Sequence, residues 1–68
     1  MTKEIAIGKN VKRYRNKQGL SQEDFAKKSG VKYTTLTKIE SGVIKKPSVM
    51  VMAQIAKALG VSIEDLIK

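Results

Sequence analysis

The chain has 68 residues, which is enough for one small domain and too short for a large core. It contains no cysteine and no histidine, which excludes a disulfide framework, a thiolate metal site and histidine acid–base catalysis. We therefore expect neither enzyme activity nor a metal or cofactor. No apolar run approaches the ~20 residues that span a bilayer, and the N-terminus opens no signal-like stretch. These features predict a cytoplasmic protein that does not enter membranes.

The charge of the chain is strongly positive and unevenly distributed. Fourteen Lys and Arg residues against six Asp and Glu residues give a formal net charge of +8. Residues 1–46 hold twelve of the basic and four of the acidic residues, whereas residues 47–68 hold two of each. A domain this basic is a candidate for binding a polyanion, and its last third reads as a neutral structural or contact element.

Glycines and one proline divide the chain into five segments with helical periodicity. The segment over residues 3–18 places Ile7, Val11 and Tyr14 on one face, and Gly19 suits the left-handed position that ends a helix. Two helices are predicted to follow over residues 21–29 and 32–41, and two more over residues 48–59 and 62–67. The inward positions predicted for the second, third and fourth helices are Phe25, Ala26, Leu36, Ile39, Val49, Met52, Ile55, Ala56 and Leu59. The fifth helix carries the apolar residues Ile63, Leu66 and Ile67.

Capping residues support these helix starts. Ser21 and Ser62 each precede an acidic residue by three positions, which resembles a capping box with Asp in place of Glu or Gln. Ser48 is a plausible N-cap after Pro47. Lys32, before the third helix, cannot cap in this way. The sequence therefore predicts an all-α, compact five-helix domain spanning residues 1–68.

The second and third helices are joined by a short glycine turn, which is the pattern of a helix-turn-helix motif. Gly30 permits the turn, while Leu36 and Ile39 fix the third helix to the core. Its polar stripe would then project outward, where a helix can enter the major groove of duplex DNA.

At this point the chain resembles the lambda-repressor-like, Cro/XRE-type helix-turn-helix regulators. The resemblance covers about residues 7–67 and implies a DNA-binding transcriptional regulator that acts as a homodimer on a palindromic operator. The residues that carry it are Gly19 to Glu23, Phe25, Ala26, Ser29 to Val31, Leu36, Ile39 to Gly42, Pro47, Ser48 and Ala56 to Val61.

The resemblance also implies roles for individual residues of this chain. Tyr33, Thr34 and Lys38 correspond to positions that contact DNA bases from the recognition helix. Arg15 and Glu40 correspond to an ion pair that joins the first helix to the end of the third. The positions that correspond to DNA-backbone contacts are Gln22, Thr35, Ser41, Lys45 and Lys46.

The last third of the chain is the predicted dimer contact, because it is neutral and its fifth helix is too short to bury all its apolar residues. Ile63, Leu66 and Ile67 are assigned to this contact, with Met50 as an extension.

Two other readings stay open at this level. The chain could be an antitoxin-like protein-interaction module whose DNA binding is autoregulatory, in which case a toxin would be its main partner. A polymerase is the other candidate protein partner of the chain. A membrane-surface peptide built on the basic first helix is the less favoured alternative, because capping boxes and a core face in every helix are typical of a globular domain.

Overall fold

The computed structural model describes residues 6–68, and in this range it contains five α-helices and no strand. The all-α prediction with five helices is thereby confirmed. Three helices were predicted to begin at Ser21, Ser48 and Ser62; in the structure these serines are the N-caps, and each helix begins one residue later. The predicted start of the first helix at Lys3 lies outside the described residues. The helices are α1 (Ile7–Lys17), α2 (Gln22–Ser29), α3 (Tyr33–Glu40), α4 (Val49–Leu59) and α5 (Ile63–Ile67).

Serine side chains begin three of the helices. Ser21 Oγ accepts a hydrogen bond from the Asp24 backbone N–H at 3.0 Å, and Ser48 Oγ accepts one from the Val51 N–H at 3.2 Å. At α5 the bonding is reciprocal, since the Asp65 carboxylate also accepts from the Ser62 backbone N–H at 3.1 Å. This bond holds the pKa of Asp65 below its ordinary value. Only the second predicted capping box is therefore complete.

The core lies where all five helices meet. α1 packs against α3, α4 and α5, α2 packs against α3 and α4, and α5 also packs against α4. Each helix buries one apolar stripe, as the periodicity predicts. The largest fully buried side chains are Phe25, Leu36, Ile39, Ile55, Leu66 and Val11.

Two side-chain amides, one within α1 and one on its C-cap residue, donate hydrogen bonds to carbonyl groups that end other helices. Asn10 is buried, and its Nδ2 donates to the backbone carbonyl oxygens of Leu66 at 2.7 Å and Lys68 at 3.1 Å. Gln18 Nε2 donates to the Leu59 carbonyl oxygen at 2.7 Å. Since the last carbonyls of a helix lack intrahelical partners, these bonds attach the ends of α5 and α4 to α1.

Two predicted positions need correction. Leu66 was assigned to the dimer contact, but its side chain is fully buried in this domain's own core. Val49 was predicted to face inward and is 77 % exposed, because it is the first residue of α4 and the buried stripe begins one turn later, at Met52. Ile63 and Ile67 remain partly exposed on α5.

The two longest helices have eleven residues each, and no helix within residues 6–68 is long and apolar enough to cross a membrane.

Candidate nucleic-acid interface

The turn between α2 and α3 is held by local hydrogen bonds. Gly30 has φ 77°, a left-handed conformation that residues with a Cβ rarely adopt, and its N–H donates to the Ala26 carbonyl at 3.0 Å. Ser29 Oγ accepts from the Val31 N–H at 3.2 Å. Buried Ala26 and Val31 then bring the two helices together. This arrangement sets the angle at which α3 leaves α2.

α3 buries one face and exposes the other. Leu36 and Ile39 are fully buried, whereas Tyr33, Thr34 and Lys38 are exposed. The structure thus brings the three predicted base-contacting residues together on one outward face. Lys32, the N-cap residue, makes no side-chain capping hydrogen bond, as its chemistry predicts.

The end of α3 is joined to α1 by a buried ion pair. Arg15 Nε and Nη2 donate to the two carboxylate oxygens of Glu40, each at 2.8 Å, and only 9 % and 3 % of the two side chains are exposed. Arg15 Nη1 also donates to the Leu20 carbonyl oxygen at 2.7 Å. The hydrogen bond with Glu40 raises the pKa of Arg15 above its ordinary value, against the opposing effect of burial. The predicted pair is present, with bidentate geometry.

Gln22 takes part in the same network. Its Nε2 donates to Glu40 Oε1 at 3.1 Å, so the first residue of α2 is joined to the last residue of α3. Gln22 was assigned to the DNA backbone, and the amide keeps a second N–H for such a contact. Thr35 is half-buried, and Ser41 is exposed with its Oγ donating to the Lys38 carbonyl oxygen at 3.2 Å.

The loop after α3 folds back onto this helix. The Ile44 N–H donates to the Lys38 carbonyl oxygen at 3.0 Å, and the half-buried Ile44 side chain packs against the core. The exposed residues Lys45 and Lys46 follow directly, so the loop holds both lysines close to the C-terminal end of α3.

Gly8 is a determinant of this geometry that the sequence analysis did not single out. A Cβ atom at Gly8 would overlap the Ile39 carbonyl oxygen and would lie 3.2 Å from that of Glu40. The backbone of α1 at Gly8 is therefore in direct contact with the backbone at the end of α3. A glycine inside a helical pattern only weakly indicates that another helix packs closely against it. A polar residue on the apolar face of α1, Asn10, indicated more clearly that its side chain would be buried and hydrogen-bonded.

In residues 6–68, no group of three or more Asp and Glu residues is placed to hold a metal ion. The exposed surface around α3 instead offers hydroxyl, phenol and ammonium groups. Such groups form hydrogen bonds with phosphates and base edges.

Comparison with known proteins agrees with this geometry. The helix-turn-helix family model matches residues 11–66. The HTH-type transcriptional regulator SinR of Bacillus subtilis is 33 % identical over 61 residues, which cover 90 % of this chain and 55 % of SinR. The uncharacterized HTH-type transcriptional regulator MJ0272 of Methanocaldococcus jannaschii is 46 % identical over 56 residues, covering 82 % of this chain and 83 % of that protein.

Solved structures show the same arrangement of helices. SinR in complex with DNA superposes with a TM-score of 0.88 at 32 % identity, covering 91 % of this chain and 98 % of that one. The restriction-modification controller protein C.AhdI of Aeromonas hydrophila gives a TM-score of 0.84 at 27 % identity, with 91 % and 92 % covered.

The chain belongs to the Cro/XRE-type helix-turn-helix family, a class of DNA-binding domains found in transcriptional regulators. It spans about half the length of SinR, the first of the curated relatives that it matches.

Proposed function

We propose that the chain binds double-stranded DNA sequence-specifically and regulates transcription, with α3 in the major groove. The observation that carries this proposal is the outward face of α3, held by the Arg15–Glu40 ion pair while its polar side chains point away from the core. The positive charge of residues 1–46 supports it, because phosphate contacts supply much of the affinity for DNA. The structure of SinR in complex with DNA adds support from a relative with the same fold.

Tyr33, Thr34 and Lys38 are the side chains proposed to contact base edges. Thr34 and Lys38 are separated by one helical turn, so they would face neighbouring base pairs. The proposed backbone contacts lie around this face, at the start of α2, along α3 and in the following loop. They are Gln22, Thr35, Ser41, Lys45 and Lys46.

A homodimer on a palindromic site is the proposed assembly. One domain reads few base pairs, whereas two domains related by a two-fold axis would read half-sites about 34–36 Å apart. Ile63 and Ile67 expose 38 % and 41 % of their surfaces on α5, and Met50 exposes 78 % on α4. We place the contact on α5, with Met50 as an extension and without Leu66.

Site selection from random duplexes followed by quantitative binding tests this function. Thr34→Ala or Lys38→Ala should reduce the free energy of binding to the selected site by about 1–3 kcal/mol and relax the base preference at the contacted position. Lys46→Ala should weaken binding to all DNA sequences alike. It should also reduce the slope of log K against log salt concentration by about 1. Lys57→Ala, which removes an exposed charge from α4, is the control and should change neither property. An unchanged consensus for both α3 variants would refute the recognition assignment.

A second function is supported by one observation. SinR has been solved in a complex with SinI protein, and the similarity to that structure covers 91 % of this chain. The present chain exposes the large apolar residues Val43, Val49 and Met50, which a protein partner could cover. An antitoxin-like interaction module is therefore the alternative. It predicts a stable complex with a co-expressed neighbouring gene product, and loss of duplex binding would then leave this complex intact.

A further inference from the structure

α1 carries four basic residues in addition to Arg15, which pairs with Glu40. Its eleven residues include no acidic side chain and five basic ones, of which Arg15 alone is buried. The other four are exposed and, with Asn16, line one shallow surface groove. We call this surface the α1 basic face, and it consists of Lys9, Lys12, Arg13, Asn16 and Lys17.

The cations of the α1 basic face have no counter-charge in the described part of the chain. No carboxylate of residues 6–68 forms an ion pair with any of them. Lys9 and Arg13, and Arg13 and Lys17, are like charges four residues apart, a spacing that destabilises a helix by a few tenths of a kcal/mol per pair. Within residues 6–68 this clustering is therefore unfavourable for the helix, whereas binding of an anionic partner would relieve the repulsion.

One member of the face contacts an aromatic ring. The guanidinium carbon of Arg13 lies 5.3 Å from the centroid of the Tyr14 ring, within the range of a cation–π contact. Tyr14 in turn packs against the core. A planar guanidinium held in this way is suited to a phosphate, because it offers two parallel N–H donors.

The position of the face relative to α3 indicates which anion it meets. Gly8 and Arg15 on α1 both meet the end of α3. Lys12 lies between them on the helix, four residues after Gly8 and three before Arg15. The α1 basic face therefore borders the same end of α3 from which the Lys45–Lys46 loop departs.

We propose that the α1 basic face binds the DNA phosphate backbone outside the segment that α3 reads, an inference that rests on the proposed function. Lys9 and Lys17 are separated by about 12 Å along the helix at 1.5 Å per residue. One DNA strand carries a phosphate about every 3.4 Å along its axis, so about 12 Å parallel to that axis covers a run of about four phosphates. The face thus lengthens the DNA contact without reading bases.

The test compares two triple variants of the full chain with equal loss of charge. Lys9→Gln, Lys12→Gln and Lys17→Gln together remove the lysines of the α1 basic face. Glutamine has nearly the helix propensity of lysine, so this variant should keep the fold, which circular dichroism checks. The control replaces three exposed lysines outside the face, Lys27, Lys28 and Lys57, also with glutamine.

Binding to the selected duplex, extended by a helical turn at each end, is titrated over a range of salt concentrations. The α1 variant should lower the slope of log K against log salt by about 1 for each lost phosphate contact, with an unchanged consensus. Ethylation of the phosphates that the α1 basic face contacts should block DNA binding by the parent protein and by the control variant. Ethylation of the same phosphates should not affect DNA binding by the α1 variant. Equal slopes for the two variants, or ethylation patterns identical to the parent's, would overturn the inference.

The two levels of the proposal fail differently. If the parent protein binds no duplex, the proposed function falls and this inference falls with it. If the parent binds its site and Lys46→Ala weakens binding while the α1 variant does not, the inference alone is wrong. The α1 basic face would then serve an acidic partner or solubility.

Discussion

Glu40 connects three parts of the candidate interface. Its carboxylate accepts hydrogen bonds from Arg15 on α1 and from Gln22 at the start of α2, while Glu40 itself ends α3. A carboxylate this well buried needs such partners, because an unpaired buried charge is costly. Arg15 is stabilised in its charged form. Since its folded-state pKa is raised, this contribution to stability is complete at every pH below the unfolded pKa of arginine and is lost only as the pH rises through the folded-state value.

Glu40→Ala should therefore leave the Arg15 guanidinium buried without its counter-ion. We expect a loss of about 3 kcal/mol in the free energy of unfolding, measured by urea denaturation. The control is the double variant Arg15→Met/Glu40→Leu, which replaces both charges by apolar side chains and should lie much closer to the parent. A parent-like midpoint for Glu40→Ala would show that the ion pair does not hold α3.

Gly8→Ala tests the close crossing of α1 and α3. In an open helix this change gains up to about 1 kcal/mol of helix propensity. Here the new Cβ would overlap the Ile39 carbonyl oxygen, so we expect a net loss of about 1–3 kcal/mol in urea denaturation. Asn16→Ala on the exposed side of the same helix is the control and should be neutral or slightly stabilising. A stabilised Gly8→Ala variant would contradict the backbone contact.

At the scale of helices, the capping residues show that a local sequence pattern predicts where a helix begins but not every hydrogen bond of its cap. Ser21 and Ser62 both precede an aspartate by three residues, yet only Asp65 returns the hydrogen bond. α5 has only five residues and therefore few hydrogen bonds within the helix, so its first turn depends on this reciprocal cap.

Asp65→Asn should make the stability of the domain less dependent on acidic pH. The folded-state pKa of Asp65 is lowered, so its stabilising contribution is present above the unfolded value of about 3.8 and is lost as the pH falls through the folded value. The parent should therefore exceed the variant in thermal stability at neutral pH and approach it below about pH 4. Ser48→Ala is the control, since α4 has no acidic residue in its first turn and the loss of its cap should cost the same at every pH. A difference between parent and Asp65→Asn that stays constant with pH would contradict this assignment.

At the scale of the whole molecule, charge and apolar exposure are segregated. The basic residues concentrate in residues 1–46, whereas the partly exposed Ile63 and Ile67 lie in the neutral last third. Two copies can therefore approach through α5 without the repulsion that their net charges of +8 would impose elsewhere.

Ile67→Glu should weaken operator binding and its cooperativity while leaving the fold intact, because the side chain is 41 % exposed and would bring like charges together at the proposed dimer contact. Sedimentation equilibrium of the protein–DNA complex should show fewer two-protein complexes at a given concentration. Ala53→Glu, the same change of charge at an exposed position of α4, is the control for net charge. Equal affinity and stoichiometry for the two variants would exclude the contact on α5.

The sequence by itself determined the five helices, most of the core and the helix-turn-helix motif. Apolar periodicity, glycine turns and N-cap serines are local signals, and helices respond mainly to local signals. The resemblance to the helix-turn-helix family also implied the Arg15–Glu40 pair, and the structure contains it. The base-contacting and backbone-contacting roles remain proposals.

Only the tertiary structure decided which positions at helix ends are buried and which polar groups meet across the fold. Leu66 and Ile67 are adjacent in a five-residue helix, and packing against α1 and α4 buries the first and leaves the second partly exposed. Asn10 and Gln18 bond carbonyl groups 56 and 41 residues away. Such contacts depend on the angles between helices, which the packing of all side chains sets together and which no local pattern encodes.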